Sequence, residues 1–138
     1  MTQEEKAQLE KMSDNTLLRS LGIEILSIEK GVVTGRMPVD GRTHQPYGLL
    51  HGGASAALVE TLGSFCSHFL IDQKQQLAVG VEVNTNHLKG VRSGNVLGQA
   101  RILHQGRKSH VWNVDLRNEK GELTATGRLT VMVVDKKN

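Results

Sequence analysis

The apolar positions in the middle of the chain recur at helical spacing. From Gly52 to Leu70 they return every three or four residues over about five turns. They are Ala54, Ala57, Leu58, Thr61, Leu62, Phe65, Phe69 and Leu70. The other side carries no charged stripe either, because it holds Ala56, Val59, Gly63 and Cys66. A helix that is apolar on most of its circumference is enclosed by the rest of the protein. The pattern therefore predicts a long central helix over residues 52–70.

Strand-like patterns lie on both sides of this helix. Before it, the apolar residues from Ile23 to Ile28 and from Val33 to Val39 predict a hairpin, in which Pro38 marks a strand end or an edge. After it come four strand-like runs separated by glycine-containing turns, at residues 77–87, 94–104, 110–117 and 123–134. Since short turns join successive strands, we expect these four runs to form an antiparallel meander.

The first 18 residues are charged with scattered apolar positions, which predicts one short helix or two helices broken near residues 13–15. We expect this segment to pack on the outside of the domain. One enclosed helix beside about six antiparallel strands gives an α+β fold whose sheet curls around the helix. A chain of 138 residues fits a single domain over residues 1–138.

Composition narrows the function. The net charge of +3 is scattered rather than gathered in a basic block, and four aromatic residues are too few for base-stacking platforms. A small anionic ligand therefore fits better than a nucleic acid. No run approaches the roughly 18 apolar residues of a membrane span, and the polar start carries no signal region, so we expect a cytoplasmic protein. The only cysteine, Cys66, is expected to be a packed thiol.

The segment from His44 to Glu60 holds the candidate chemistry. A loop rich in polar groups and glycine precedes the helix, and Glu60 lies two turns inside it. A carboxylate on a mostly apolar helix can act as a general base on water or attack an activated carbonyl. The alternatives are an ion pair or a solvated position. Ser64, on the next turn of the same face, can hold Glu60 or a water, or bond its own helix backbone.

Gly52 and Gly53 begin the predicted helix without side chains. A substrate carbonyl can therefore reach a backbone N–H at the positive end of the helix dipole, which forms an oxyanion site. The alternative is a turn that simply needs the backbone freedom of glycine. His51 and Gln45 can orient the same carbonyl or bond the polar groups of the loop backbone.

Other chemistries have weaker support. The six histidines show no tight ligand pairing on one element, which argues against a metal site; they are His44, His51, His68, His87, His104 and His110. Gly53–Ala57 lacks the preceding strand of a nucleophile elbow. Residues 105–109 lack the spacing of a phosphate-binding loop and are predicted to form a hairpin tip. The cations Arg107 and Lys108, with Lys89 and Arg92 in another turn, are either ordinary surface charges or contacts for a phosphorylated carrier.

The order of these residues resembles that of the hotdog-fold thioesterases of the PaaI-like superfamily. The run from Gln45 to Gly53, QPYGLLHGG, is followed by Glu60 and Ser64. The likeness extends to residues 37–40, 83–87, 104–106 and 111–112. The chain is most similar to the branch that contains the menaquinone-pathway 1,4-dihydroxy-2-naphthoyl-CoA thioesterase and the enterobactin-pathway proofreading thioesterase. This resemblance implies a curved antiparallel sheet around one long helix.

The resemblance also implies an activity. It points to hydrolysis of acyl-CoA or acyl carrier protein thioesters without a metal or organic cofactor. Glu60 would be the nucleophile or general base, with Ser64 in support. The Gly52 N–H would polarise the thioester carbonyl, which Gln45 and His51 would position. The positions that match the family's carrier-binding residues are Gly80, His87, Leu88, Lys89, Gly90, His104, Gln105, Gly106, Arg107, Lys108 and Ser109.

The spacing within the helix makes a separate prediction. Gly52 and Glu60 are eight residues apart, hence about 12 Å along one helix axis. One carbonyl cannot contact both groups of one chain. If both serve the same carbonyl, Gly52 of one subunit faces Glu60 of another across a twofold axis. We therefore expect a homodimer that forms the active site, and the resemblance further implies a homotetramer.

The resemblance implies an acyl-CoA thioesterase acting on an aromatic or hydroxylated aromatic acyl group, such as 1,4-dihydroxy-2-naphthoyl-CoA. Enzymatic alternatives are proofreading of acyl groups on a carrier protein, a broad medium-chain acyl-CoA hydrolase, and a hotdog dehydratase that uses His51 and Glu60. A nonenzymatic alternative is an acyl-CoA sensor on the same fold.

Overall fold

A computed structural model describes residues 1–137. It begins with two short helices, α1 (Gln3–Ser13) and α2 (Leu17–Leu21). Thr2 and Glu5 form a capping box at the start of α1, with the hydroxyl of Thr2 accepting from the Glu5 N–H and the Glu5 carboxylate accepting from the Thr2 N–H. Asn15 takes a positive φ of 57° between the helices. Of the two arrangements predicted for this segment, the broken pair of helices is confirmed.

The predicted hairpin and the central helix are also confirmed. Strands β1 (Glu24–Glu29) and β2 (Val32–Pro38) pair antiparallel, with Gly31 at a positive φ of 77° in the turn. Helix α3 spans Gly52–Leu70. Four strands follow it: β3 (Gln76–His87), β4 (Asn95–Gln105), β5 (Ser109–Arg117) and β6 (Leu123–Asp135). Their bounds differ by no more than one residue from those that the alternation predicted.

The prediction that the four strands after α3 form one meander is wrong for β3, the first of them. The sheet order is β1-β2-β4-β5-β6-β3, so β4, β5 and β6 form a meander while β3 pairs with β6. The connection after β3 is not a tight turn. The N–H groups of Leu88 and Lys89 both donate to the carbonyl of Thr124, and the carbonyl of Gly94 accepts from Val39 at the end of β2. The chain therefore crosses the end of the sheet before β4 begins.

Helix α3 packs on one face of this sheet and contacts β2 through β6. The predicted enclosure on most of the helix circumference is wrong within one chain, because Phe65 and Phe69 remain partly exposed while Ser55, Gly63 and Ser67 are buried. Small residues let the helix approach the sheet closely: a methyl group on Gly63 would lie 2.6 Å from a methyl of Leu129 and 3.1 Å from the indole of Trp112. Within residues 1–137, no helix is both long and apolar enough to cross a membrane.

The fold is the α+β hotdog architecture, with six antiparallel strands curved around one long helix. Strand β3 forms one edge of the sheet. Three apolar side chains on this edge strand are about half exposed, Leu77 at 44%, Val79 at 46% and Val81 at 56%. An edge strand with unpaired backbone groups and exposed apolar residues is a surface on which another strand can pair.

Candidate active site

The loop before α3 is folded around the side chain of Gln45. The Gln45 N–H donates to the carbonyl of Leu49 at 2.7 Å, and the carbonyl of Gln45 accepts from Gly48 at 3.0 Å. The side-chain oxygen Oε1 accepts from the N–H groups of Tyr47 and Leu49. Within residues 1–137 the side-chain amide NH2 of Gln45 makes no hydrogen bond. Gln45 thus orders the loop through its oxygen and keeps its NH2 group available as a donor.

His51 caps the N-terminus of α3. Its Nδ1 accepts from the Gly53 N–H at 2.7 Å, so the neutral ring carries its proton on Nε2. Its carbonyl accepts from the N–H groups of Ala54 and Ser55 at 3.0 and 3.2 Å. Of the first four N–H groups of the helix, only that of Gly52 has no acceptor in the described part of the chain. The N–H that the family resemblance implies for the oxyanion site is the one left unpaired, whereas the N–H of Gly53 is occupied by His51.

Glu60 lies two turns further along α3 and is half-buried. Its carboxylate lies against Gly80 of β3, where a methyl group on Gly80 would collide with Oε1. The ladder to β6 is irregular just after Gly80, at Val81. No ion pair or hydrogen bond involves the Glu60 carboxylate in residues 1–137, and the half-buried Ser64 does not bond to it. An ion pair within the chain therefore does not explain this carboxylate.

A cavity of about 320 Å³ lies at the N-terminus of α3. It is lined by Gln45, Leu49, Leu50, Gly52, Ser55, His87, Leu88, Lys89, Gly90, Val91 and Thr124. Gln45 and Gly52 thus share one cavity with the first group of predicted carrier-binding residues, His87 to Gly90. His51 and Gly80, which were predicted for the same site, are not part of its lining. A methyl group on Gly52 would lie 2.8 Å from Nε2 of His87. Glycine therefore leaves the space between the helix terminus and this ring open.

The sequence interpretation missed Ser55, which is only 3% exposed and lines this cavity. The spacing could have indicated Ser55, since a residue three positions after Gly52 lies on nearly the same face of the helix. Thr124 was missed as well. It lies in β6, and only the tertiary fold brings that strand to the helix terminus.

The second group of predicted carrier-binding residues, from His104 to Ser109, lies at the other end of the sheet. The segment forms a hairpin tip as predicted, with the Gly106 N–H donating to the carbonyl of Ser109 at 2.8 Å. The carbonyl of Lys108 accepts from Val133 near the end of β6, whereas His87 of the first group pairs with Ala125 near its start. The two groups of predicted carrier-binding residues therefore lie at opposite ends of the sheet within one chain.

The cations in these turns differ in their partners. Lys89 forms an ion pair with Glu122 at 2.6 Å, and this contact lowers the pKa of the Glu122 carboxyl. Arg107 and Lys108 at the hairpin tip are exposed and form no ion pair with another described residue. The positive charge at the hairpin tip is therefore not neutralised by a described acidic residue, unlike the charge of Lys89. Within residues 1–137, no three histidine, cysteine or acidic side chains are grouped closely enough to hold a metal ion.

A hydrogen-bonded group lies buried beneath α3. Ser67 Oγ accepts from the indole Nε1–H of Trp112 at 2.8 Å and lies 2.8 Å from Nδ1 of His110. Burial, with a smaller effect of His104, lowers the pKa of His110. Cys66 is 1% exposed, and burial raises its pKa to about 12, so the packed thiol is confirmed.

Comparison with known proteins places this arrangement in a family. The model of the thioesterase superfamily matches residues 47–125, which include Gly52, Glu60, Ser64 and Gly80. The proofreading thioesterase EntH of Klebsiella pneumoniae subsp. pneumoniae is 48% identical over 128 residues, covering 93% of this chain and 93% of that protein.

Solved structures agree with this match. A mutant of thioesterase PA1618 from Pseudomonas aeruginosa superimposes with a TM-score of 0.91 at 45% identity, covering 94% of each chain. Thioesterase HI1161 from Haemophilus influenzae superimposes with a TM-score of 0.89 at 39% identity, covering 98% of this chain and 92% of that one. Both the sequence and the fold are therefore shared over nearly the whole length.

Proposed function

Because the chain belongs to the thioesterase superfamily and is a thioester hydrolase, we propose that it hydrolyses aromatic acyl-CoA thioesters such as 1,4-dihydroxy-2-naphthoyl-CoA. The observation that supports the site is a pair of groups without partners in residues 1–137, the Gly52 N–H and the Glu60 carboxylate. They are the donor and the base that thioester hydrolysis needs. This chemistry uses no metal ion or organic cofactor.

In the proposed reaction the thioester carbonyl accepts a hydrogen bond from the Gly52 N–H. Glu60 takes a proton from water as the water oxygen bonds to the carbonyl carbon. The oxyanion that forms is stabilised by the same N–H at the positive end of α3. When it collapses, the carbon–sulfur bond breaks, and the leaving thiolate takes the proton that Glu60 accepted from water, which regenerates the carboxylate. The products are the free acid and the thiol.

Glu60 has a second possible role as the nucleophile. Its carboxylate then adds to the carbonyl, expels the thiolate and leaves a mixed anhydride that water hydrolyses. Single-turnover hydrolysis in ¹⁸O-labelled water detects the anhydride when water attacks its Glu60 carbonyl. Label is then left in Glu60, and ¹⁶O from Glu60 appears in the product acid. Label in the product acid alone is the result of the general-base route and also of water attack on the acyl carbonyl of the anhydride.

We place the complete site at a homodimer interface formed by β3. The 12 Å estimate between Gly52 and Glu60 and the absence of Glu60 from the cavity at Gly52 both separate these groups within one chain. Antiparallel pairing of two β3 edges would set the His87 end of one strand beside the Gln76 end of the other. The cavity of one subunit would then approach Glu60 and the hairpin tip of its partner. Two such dimers would form the homotetramer.

The first experiment compares wild type with Glu60→Gln on a panel of thioesters, following release of free thiol. The panel contains 1,4-dihydroxy-2-naphthoyl-CoA, benzoyl-CoA, a medium-chain acyl-CoA and an aroyl carrier protein. We expect the aroyl-CoA substrates to be hydrolysed fastest and Glu60→Gln to lower kcat by about 10²- to 10⁴-fold. Glu29→Gln, which changes an exposed glutamate at the end of β1, is the matched control. Equal rates for Glu60→Gln and wild type would exclude the proposed role.

A second experiment tests the shared site with two inactive variants, Glu60→Gln and Gly52→Pro. A mixed dimer would contain one site with both defects and one intact site, so random mixing would restore up to about a quarter of wild-type activity. Subunit exchange is verified by mass spectrometry of intact oligomers. If exchanged oligomers stay inactive, both groups belong to one chain's site and the dimer proposal fails.

The relationship to EntH favours a second candidate, proofreading of acyl groups attached to a carrier protein. That relative is a proofreading thioesterase at 48% identity. The exposed Arg107 and Lys108 at the hairpin tip could face the acidic surface of such a carrier. The panel separates the candidates, because a higher kcat/KM for the aroyl carrier protein than for the same acyl group on CoA supports proofreading.

A further inference from the structure

Ser55 is a buried polar side chain without a partner. It is 3% exposed, and its hydroxyl makes no hydrogen bond within residues 1–137. A helical serine usually bonds the carbonyl four residues earlier, but the carbonyl of His51 already accepts from the N–H groups of Ala54 and Ser55. The Ser55 oxygen is also not among the fully enclosed polar atoms, since only the Thr85 hydroxyl is both enclosed and unpaired in the described chain. The small accessible part of Ser55 therefore includes its oxygen.

This accessible part lies in the cavity at the N-terminus of α3. Ser55 follows Gly52 by three residues, and helical side chains tilt toward the N-terminus. The hydroxyl is thus directed toward the same space as the free Gly52 N–H. The irregular segment from Leu88 to Val91 also lines this cavity, and the N–H groups of Gly90 and Val91 have no acceptor within residues 1–137.

We propose that the Ser55 hydroxyl binds the amide group nearest to sulfur in the phosphopantetheine arm of the thioester substrate. The inference rests on the proposed placement of the thioester carbonyl at the Gly52 N–H. In the arm, one sulfur and two methylene groups separate that carbonyl from the first amide. This span is similar to the rise of about 4.5 Å over three helical residues, which is the offset between Gly52 and Ser55.

The chemistry of the cavity fits an amide better than a hydrocarbon. A serine hydroxyl can both donate and accept, as an amide does, and an amide that leaves water needs such a partner. The unpaired N–H groups of Gly90 and Val91, which lie in residues lining the same cavity, are further donors for the amide oxygen. Coenzyme A and acyl carrier proteins carry the same arm, so this contact would serve either source.

The test removes the hydroxyl from the enzyme and the amide from the substrate. Wild type and Ser55→Ala are each assayed with the N-acetylcysteamine thioester and the S-pentyl thioester of one acyl group, chosen as the one hydrolysed fastest in the panel. The S-pentyl group has the same chain length without the amide. Ser20→Ala, at an exposed serine of α2, is the matched control, and thermal unfolding monitors the fold.

We expect Ser55→Ala to lower kcat/KM for the N-acetylcysteamine thioester by roughly three- to tenfold and to leave the S-pentyl thioester unchanged. An equal loss on both substrates, or no loss on either, would overturn the assignment. The acyl group is chosen by activity, so poor hydrolysis of aroyl-CoA would refute the proposed substrate while leaving this comparison intact. An unchanged Tm for Ser55→Ala is expected, since its hydroxyl bonds nothing in the described chain.

Discussion

The carboxylate of Glu60 lies against the backbone of Gly80, in a space that exists only because residue 80 has no side chain. Helix α3 provides the carboxylate, and the edge strand β3 provides the space beside Gly80 that this carboxylate occupies. This contact fixes the position of the one carboxylate on α3. The resemblance gave Gly80 as a carrier-binding position, and the structure brings it against Glu60, 20 positions away in the sequence.

Gly80→Ala tests this contact. A methyl group would displace the Glu60 carboxylate, and misplacement of a catalytic group by about 1 Å can cost on the order of 100-fold in rate. We expect a loss of that size in kcat/KM with little change in Tm, because the displaced atoms are the end of a flexible side chain. Gly41→Ala, where no atom lies within 4 Å of the new methyl, should retain activity. Full activity of Gly80→Ala would show that the contact is unimportant.

The free N–H of Gly52 can be removed without breaking the helix. Proline is tolerated at the first helical position, and the preceding His51 has the extended ψ of 130° that proline requires. Gly52→Ala introduces a similar contact with His87 but keeps the N–H. We expect Gly52→Pro to have a kcat/KM roughly 10²- to 10³-fold below that of Gly52→Ala. Equal activities of the two variants would exclude the Gly52 N–H as the oxyanion donor.

The buried His110 makes stability depend on pH. Burial, and then nearby His104, lower its pKa in the folded protein, while the unfolded chain has a pKa of about 6.5. As the pH falls through this value the unfolded state binds the proton first. The stabilisation is therefore complete above about pH 6.5 and is lost as the pH falls toward the folded pKa.

Urea unfolding between pH 7.5 and 5 measures this effect. His110 contributes a slope of at most about 1.4 kcal/mol per pH unit to the free energy of unfolding. His110→Gln should show a smaller slope than wild type. His68→Gln provides a comparison, because burial, with Lys136 nearby, also lowers the pKa of His68. A slope that is unchanged in His110→Gln would contradict the prediction.

Cys66 should be inert in the folded protein. Its pKa of about 12 leaves the thiol protonated at pH 8, and only 1% of the residue is exposed. We expect no reaction with a disulfide reagent in buffer and one equivalent of reaction in denaturant. The native protein will then not interfere with the thiol-release assay. Rapid labelling of the folded protein would contradict this, with Cys66→Ala as the blank.

The sequence by itself determined the local elements. Periodicity located α3 from Gly52 to Leu70, because a helix of that length repeats its apolar pattern several times. Alternation located the strands to within about one residue for the same reason. The eight-residue spacing of Gly52 and Glu60 also fixed their separation, since both lie on one rigid helix. The resemblance supplied the identity of the chemistry at these positions.

Only the tertiary structure decided what these elements contact. Strand β3 pairs with β6 rather than β4 because its connection crosses the end of the sheet, and no local pattern records that path. The buried side of α3 is set by close approach at Gly63 and Ser67, which average hydrophobicity does not reveal. The space beside Gly80 and the cavity at Ser55 also depend on the tertiary structure, because each is enclosed by residues that are far apart in the sequence.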